Sequence, residues 1–129
     1  MAFGLEKMSR WLIAFLWLIT GITSLWGAPE IGYEVLAKGN IHGFYADACL
    51  VLGSLVDILL ACWIFIGIRI VYCGWAQILV ITTYTIILTI IAPEFWLHPF
   101  GPLTKNLPIL LFIYIVFIRA FTYRNNSAT

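Results

Sequence analysis

Hydrophobic positions in this chain gather into four long runs, at about 10–27, 44–68, 70–92 and 106–122, separated by short polar stretches. A membrane-crossing helix needs about 20 consecutive apolar residues, and each run meets that length once its flanks are included. The first run follows Lys7 and Arg10, a layout shared with signal peptides, but Trp26 would occupy a position that must be small for cleavage. It is therefore read as a span. Between the first two runs lies a polar connection from Ala28 to about Gly43, with a short amphipathic turn expected around Ile31 to Ala37. Only Gly67-Ile68-Arg69 interrupts the second and third runs, which predicts a tight antiparallel hairpin. The expected fold is all-α: an integral membrane four-helix bundle forming a single domain over 1–129.

The third connection differs in kind. Four of the five prolines fall within Pro93-Glu94-Phe95-Trp96-Leu97-His98-Pro99-Phe100-Gly101-Pro102-Leu103-Thr104-Lys105-Asn106-Leu107-Pro108. Proline lacks an amide donor and restricts the residue before it, so neither neighbouring helix continues through this stretch. Its aromatic and leucine content is not that of a solvated linker. It predicts a structured cap, anchored by Trp96, Phe100 and Leu103, closing the mouth of the bundle between the third and fourth helices.

Composition strengthens the membrane reading: 63% of residues are hydrophobic and 10% charged, with a mean hydropathy of +1.01. A soluble domain of this size carries more surface charge. A formal net charge of +1 gives no reason to invoke nucleic acid. Lys7, Arg10, Arg69, Arg119 and Arg124 fall on the side shared by the termini, and only Lys38 and Lys105 on the other. The positive-inside rule then expects both termini in the cytoplasm and the cap outside. The three cysteines lie in apolar segments without a CxxC or metal spacing and read as packing residues.

Candidate chemistry is sparse. No nucleophile–base pair, phosphate loop or dinucleotide fingerprint is present, so stand-alone catalysis is not expected. Asp57 lies near mid-membrane, where a carboxylate costs about 2.5–3.5 kcal/mol on insertion scales. Asp47, Ser54 and Asp57, spaced by seven and three, predict one polar face turned into the bundle. Asp57 then either binds a ligand or relays a proton, or it is protonated or hydrogen-bonded and clips helices together. Helical rise places Thr20 at the level of Asp57, with Gln77 nearer the cytoplasm and Tyr84 nearer the outside. Thr20 and Gln77 are read as structural polar core, and no basic residue is expected at the depth of Asp57. Asp47, Asp57, Tyr84, Trp96 and His98 are the candidate ligand-binding residues, forming a pocket beneath the cap. Histidines 42 and 98 with nearby carboxylates have no helix-based ligand spacing, so no metal site is assigned.

Trp17 with Thr20-Gly21, Gly53 with Asp57, Gln77 with Tyr84, and above all the cap motif from Pro93 to Pro108 resemble the DoxX-like membrane proteins over about residues 10 to 120. That resemblance implies a bacterial four-helix membrane domain. DoxX proper is similar to a membrane subunit of a thiosulfate:quinone oxidoreductase, so the resemblance implies a quinone-linked or redox-accessory role beside a partner enzyme. The alternatives are a module that binds or transports a small apolar or weakly acidic solute, and a purely structural membrane anchor.

Overall fold

The computed structural model describes residues 2–128, and every regular element within them is helical. Helix α1 (Ala2–Ile22) ends in a π turn over Thr23–Gly27, and Pro29, at the position where its missing N–H costs nothing, starts α2 (Pro29–Lys38). Helices α3 (Gly43–Ile66) and α4 (Ile70–Ile91) follow. A single 3-10 turn, Pro93–Trp96, opens the cap. The fourth span begins as α5 (Asn106–Ile113), widens into a π stretch (Tyr114–Arg119) and finishes as α6 (Ala120–Ser127). Four helical segments, Gly4–Gly27, Gly43–Ile66, Ile70–Ile91 and Asn106–Ser127, are long and apolar enough to cross a membrane. At most 28% of each apolar window is buried within the protein, which leaves apolar surface for lipid. The chain is a multi-pass membrane protein.

Between α3 and α4, Gly67 adopts the left-handed conformation (φ 77°) and returns its amide to the Trp63 carbonyl at 3.0 Å. The indole of Trp63 donates to the Ile68 carbonyl at 2.7 Å, pinning the turn. The two helices it joins nevertheless do not form the close hairpin expected from so short a link. Helix α3 packs along α1, and α4 packs along the fourth span, while α3 and α4 meet only sparsely. Small residues explain the pairing. Ala14 and Ala61 are fully buried, and a Cβ on Gly21 would lie 2.7 Å from Ile58 Cγ1 and 2.9 Å from the Ser54 carbonyl oxygen. Backbones thus approach closely where α1 meets α3, the usual device for helix association in lipid. On the other side, a Cβ on Gly74 would lie 2.7 Å from Phe117 Cβ.

The core is concentrated toward the end of the bundle that carries both termini. Ile13, Trp17, Leu60, Ile64, Cys73, Ile113 and Phe117 fill it. There Glu6 and Arg124 approach to 3.7 Å, tying the first helix to the last. At the opposite end the core thins out, and two separate segments close the bundle. One is α2, a full helix rather than a short turn, which crosses this end and touches both α3 and α4. A Cβ on Gly32 would meet Leu50 Cδ1 at 2.5 Å, and one on Gly39 would meet Ile91 Cγ2 at 2.7 Å. The other is the proline-rich cap. Lys38 joins the two, pairing with Glu94 and lying 4.9 Å from the centre of the Phe95 ring.

The cap also descends into the bundle. The Asn106 amide donates to Thr85 Oγ1 at 2.9 Å, and Thr85 lies six residues before the end of α4. At 1.5 Å per residue, the fourth span starts about 9 Å below that end. Leu103 is fully buried, Trp96 Nε1 donates to Thr89 Oγ1 at 3.1 Å, and Thr104 Oγ1 donates to the Trp96 carbonyl at 2.9 Å. Irregular backbone at this depth is tolerated because it lies against protein. Phe100, expected to anchor the cap, instead points outward and is 87% exposed beside the equally exposed Leu97.

Candidate functional site

Asp57 and Ser54, three residues apart on α3, both face inward and are buried. Tyr84 reaches across from α4. Its hydroxyl lies 3.3 Å from Asp57 Oδ1 and 3.2 Å from the Gly53 carbonyl oxygen. One hydroxyl proton serves two acceptors here, and both distances exceed the usual 2.7–2.8 Å or so of an O–H···O bond. The tyrosine is held weakly in two directions. Among the described residues, no hydrogen bond reaches the second oxygen of Asp57.

This pair stands where two hollows meet. A chamber of about 500 Å³, widely open to the outside, lies under α2 and the cap, walled by Thr20, Ser24, Val35, Leu50, Phe95 and Pro102. A recess of about 180 Å³ runs toward the fourth span, past Trp17, Ile81, Lys105 and Asn106. Thr20, Asp57 and Tyr84 line both. A groove of about 580 Å³ at the terminal end, between Trp11 and Phe65, carries only Lys7 as a charged group. It lies on lipid-facing surface and has no convergent polar atoms, so it is not the candidate site.

The polar atoms of the two hollows divide into acceptors and donors. The Thr20 hydroxyl donates to the Leu16 carbonyl at 2.7 Å, Ser24 to the Thr20 carbonyl at 2.8 Å, and Ser54 to the Leu50 carbonyl at 2.8 Å. Their protons are spent on their own helices, so they offer only lone pairs. Donors come from Tyr84 and from Lys105, whose ammonium makes no ion pair or side-chain hydrogen bond among the described residues. Counting along straight helices places no basic residue near Asp57; the descent of the cap brings the exposed Lys105 to the edge of its recess.

The five candidate ligand-binding residues do not converge. Asp57 and Tyr84 are together. Asp47, on the expected stripe, is exposed and accepts the Tyr33 hydroxyl at 2.7 Å, because α2 rather than α1 covers that end of α3. The bond to this carboxylate pushes the Tyr33 hydroxyl above its ordinary pKa. Trp96 is half-buried but spent on Thr89 and the cap itself. His98 sits at the cap's exposed tip, its Nδ1 accepting the Phe100 amide at 3.2 Å and its ring 5.5 Å from that of Phe100. Of the two residues read as structural, Gln77 is fully buried and accepts the Trp17 indole N–H at 3.0 Å. Thr20 lines both hollows. Sequence reasoning reads Lys105 as solvated or headgroup-facing, and it is exposed where it borders the recess; Phe95 is read as seeking burial, and it is half-buried where it walls the chamber.

No curated protein and no solved structure matches this chain. The family model for the DoxX-like family matches residues 14–114, a stretch that contains Thr20, Asp57, Tyr84 and Lys105 together, and the chain belongs to that family.

Proposed function

We propose that this protein is a small subunit of the bacterial inner membrane that holds a quinone-type molecule and serves a separate redox enzyme, without catalysing a reaction alone. The observation that carries this reading is the junction of Asp57 and Tyr84 between two mostly apolar hollows. Small-molecule sites have this form, with apolar walls and a few convergent polar atoms. A quinone carbonyl accepts hydrogen bonds, which Tyr84 and Lys105 supply. The reduced form donates them, and Asp57 and Thr20 accept. One set of residues thus suits both oxidation states. The redox part rests on the resemblance to DoxX proper, and the positive-inside asymmetry favours cytoplasmic termini. Equilibrium binding of a soluble quinone analogue to the purified protein is the test. Wild type should bind it, and Tyr84→Phe with Asp57→Asn should weaken it at least tenfold. Absence of binding, or equal binding by the variants, overturns the site.

One observation favours a second reading, a site for a weakly acidic solute: Lys105 borders the recess, exposed, with no acidic side chain paired to it. Lys105→Gln separates the two, since it should abolish binding of a carboxylate ligand and only weaken that of a neutral quinone. A structural anchor would bind neither.

A further inference from the structure

The sparse packing of α3 against α4 leaves a crevice in the wall of the bundle. Its volume is about 620 Å³, and it is bordered by Leu52 and Val56 on one side and by Leu79, Val80 and Ile87 on the other. Leu52 is 62% exposed and Leu79 68%, so the crevice opens sideways onto lipid rather than toward water. From Leu79 to Ile91 it follows α4 for about 18 Å.

The crevice is not an isolated groove. Val35, Leu36, Cys49, Gly53, Tyr84 and Leu88 line it and also line the chamber beneath α2. The two spaces are therefore back to back, and the Tyr84 side chain spans the partition between them, from α4 to the Gly53 carbonyl and Asp57. Two long hydrogen bonds are all that fix the hydroxyl, and an incoming polar group can replace both.

We infer that the cleft between α3 and α4 is a lateral portal from the bilayer, latched by Tyr84, and that it holds the apolar tail of a ligand whose polar head lies at Asp57. This deepens the proposed function and rests on it: the ligand class becomes a lipid-soluble molecule with a small ring head and one long tail. Its continuity with the chamber that reaches Asp57 sets this groove apart from the one at Trp11, where lipid chains would meet no convergent polar atoms. A headgroup with a short or missing tail would still reach Asp57 but would leave the crevice to lipid.

The test compares decylubiquinone with its tail-less parent benzoquinone on the full-length protein in nanodiscs. Leu52→Trp and Leu79→Trp place an indole in the crevice from either helix, at positions already exposed to lipid, and thermal midpoints identify any variant that misfolds. Each should cut the association rate of the tailed probe at least tenfold while changing that of the tail-less probe less than threefold. If both indole variants take up the tailed probe as wild type does, or if both probes slow equally, the portal is wrong and the chamber reading stands. If wild type binds neither probe, the chamber reading falls and the portal with it.

Discussion

Two buried polar contacts cross the bundle, and they are expected to respond in opposite ways to removal. Gln77 is fully buried and accepts the Trp17 indole at 3.0 Å, linking α1 to α4 across the packed half of the core. Replacing Gln77 by Leu removes the acceptor and strands an indole N–H with no water to take it. A net hydrogen bond contributes about 0.5–1.5 kcal/mol, and an orphaned donor costs about 1–3 kcal/mol. Interhelical hydrogen bonds in membranes average only about 0.6 kcal/mol because the unfolded reference also finds partners. A loss of about 1–2 kcal/mol is therefore expected for Gln77→Leu. Adding Trp17→Phe removes the stranded donor, so the double variant should lose less than the two single losses combined, with a coupling of about 1 kcal/mol. Asp57→Leu behaves differently. The Tyr84 hydroxyl keeps the Gly53 carbonyl at 3.2 Å, so nothing is orphaned, and the cost of about 2.5–3.5 kcal/mol for a mid-membrane carboxylate is relieved. Stability should be unchanged or higher while ligand binding is lost. Steric-trap unfolding in bicelles measures all four variants. A destabilised Asp57→Leu beside an unaffected Gln77→Leu would refute this division into a structural contact and a functional one.

Three further outcomes follow from particular contacts. Gly21→Ala forces a methyl against the Ser54 carbonyl and Ile58 and should cost about 1–3 kcal/mol, whereas Gly4→Ala, with nothing within 4 Å, should cost nothing; equal unfolding midpoints for the two would refute the close approach of α1 and α3. The Lys38 hydrogen bond holds the Glu94 carboxyl below the ordinary carboxylate range, so its small contribution is present above the unfolded pKa and is lost as pH falls through the folded one. Glu94→Gln should accordingly lower the thermal midpoint slightly at pH 7 and match wild type in acid, and a gap that persisted in acid would contradict the pairing. For orientation, His98→Cys in a variant without native cysteines should react with an impermeant thiol reagent from outside intact cells, and labelling only after permeabilisation would reverse the topology.

How far the chain could be read in advance depended on which force acts locally. Lipid demands uninterrupted apolar runs, so the four spans are written plainly in the sequence. Pairing among them is not, because Gly21, Ala14 and Ala61 set it by shape, and a short Gly67–Arg69 link suggests a hairpin that the packing does not use. Counting depth along straight helices placed Tyr84 nearer the outside than Asp57, and the length of the tyrosine side chain carries its hydroxyl to within 3.3 Å of the carboxylate. That counting does not reach Lys105, at the edge of the recess, since a proline-rich chain that turns inward has no fixed rise per residue. Asp47 failed for another reason. Its helical face is right, but the neighbour that covers it is α2, which supplies Tyr33 in place of a ligand chamber.

The central claim is that the hollow at Asp57 and Tyr84 holds a lipid-soluble ligand. Native mass spectrometry of the protein extracted gently from its own membrane tests this most directly. Wild type should carry a non-covalent adduct whose fragment masses identify a quinone or quinol, and Asp57→Leu, folded and equally stable, should have lost it. A wild-type protein without any such adduct, or an Asp57→Leu variant that retains it in full, would contradict the account.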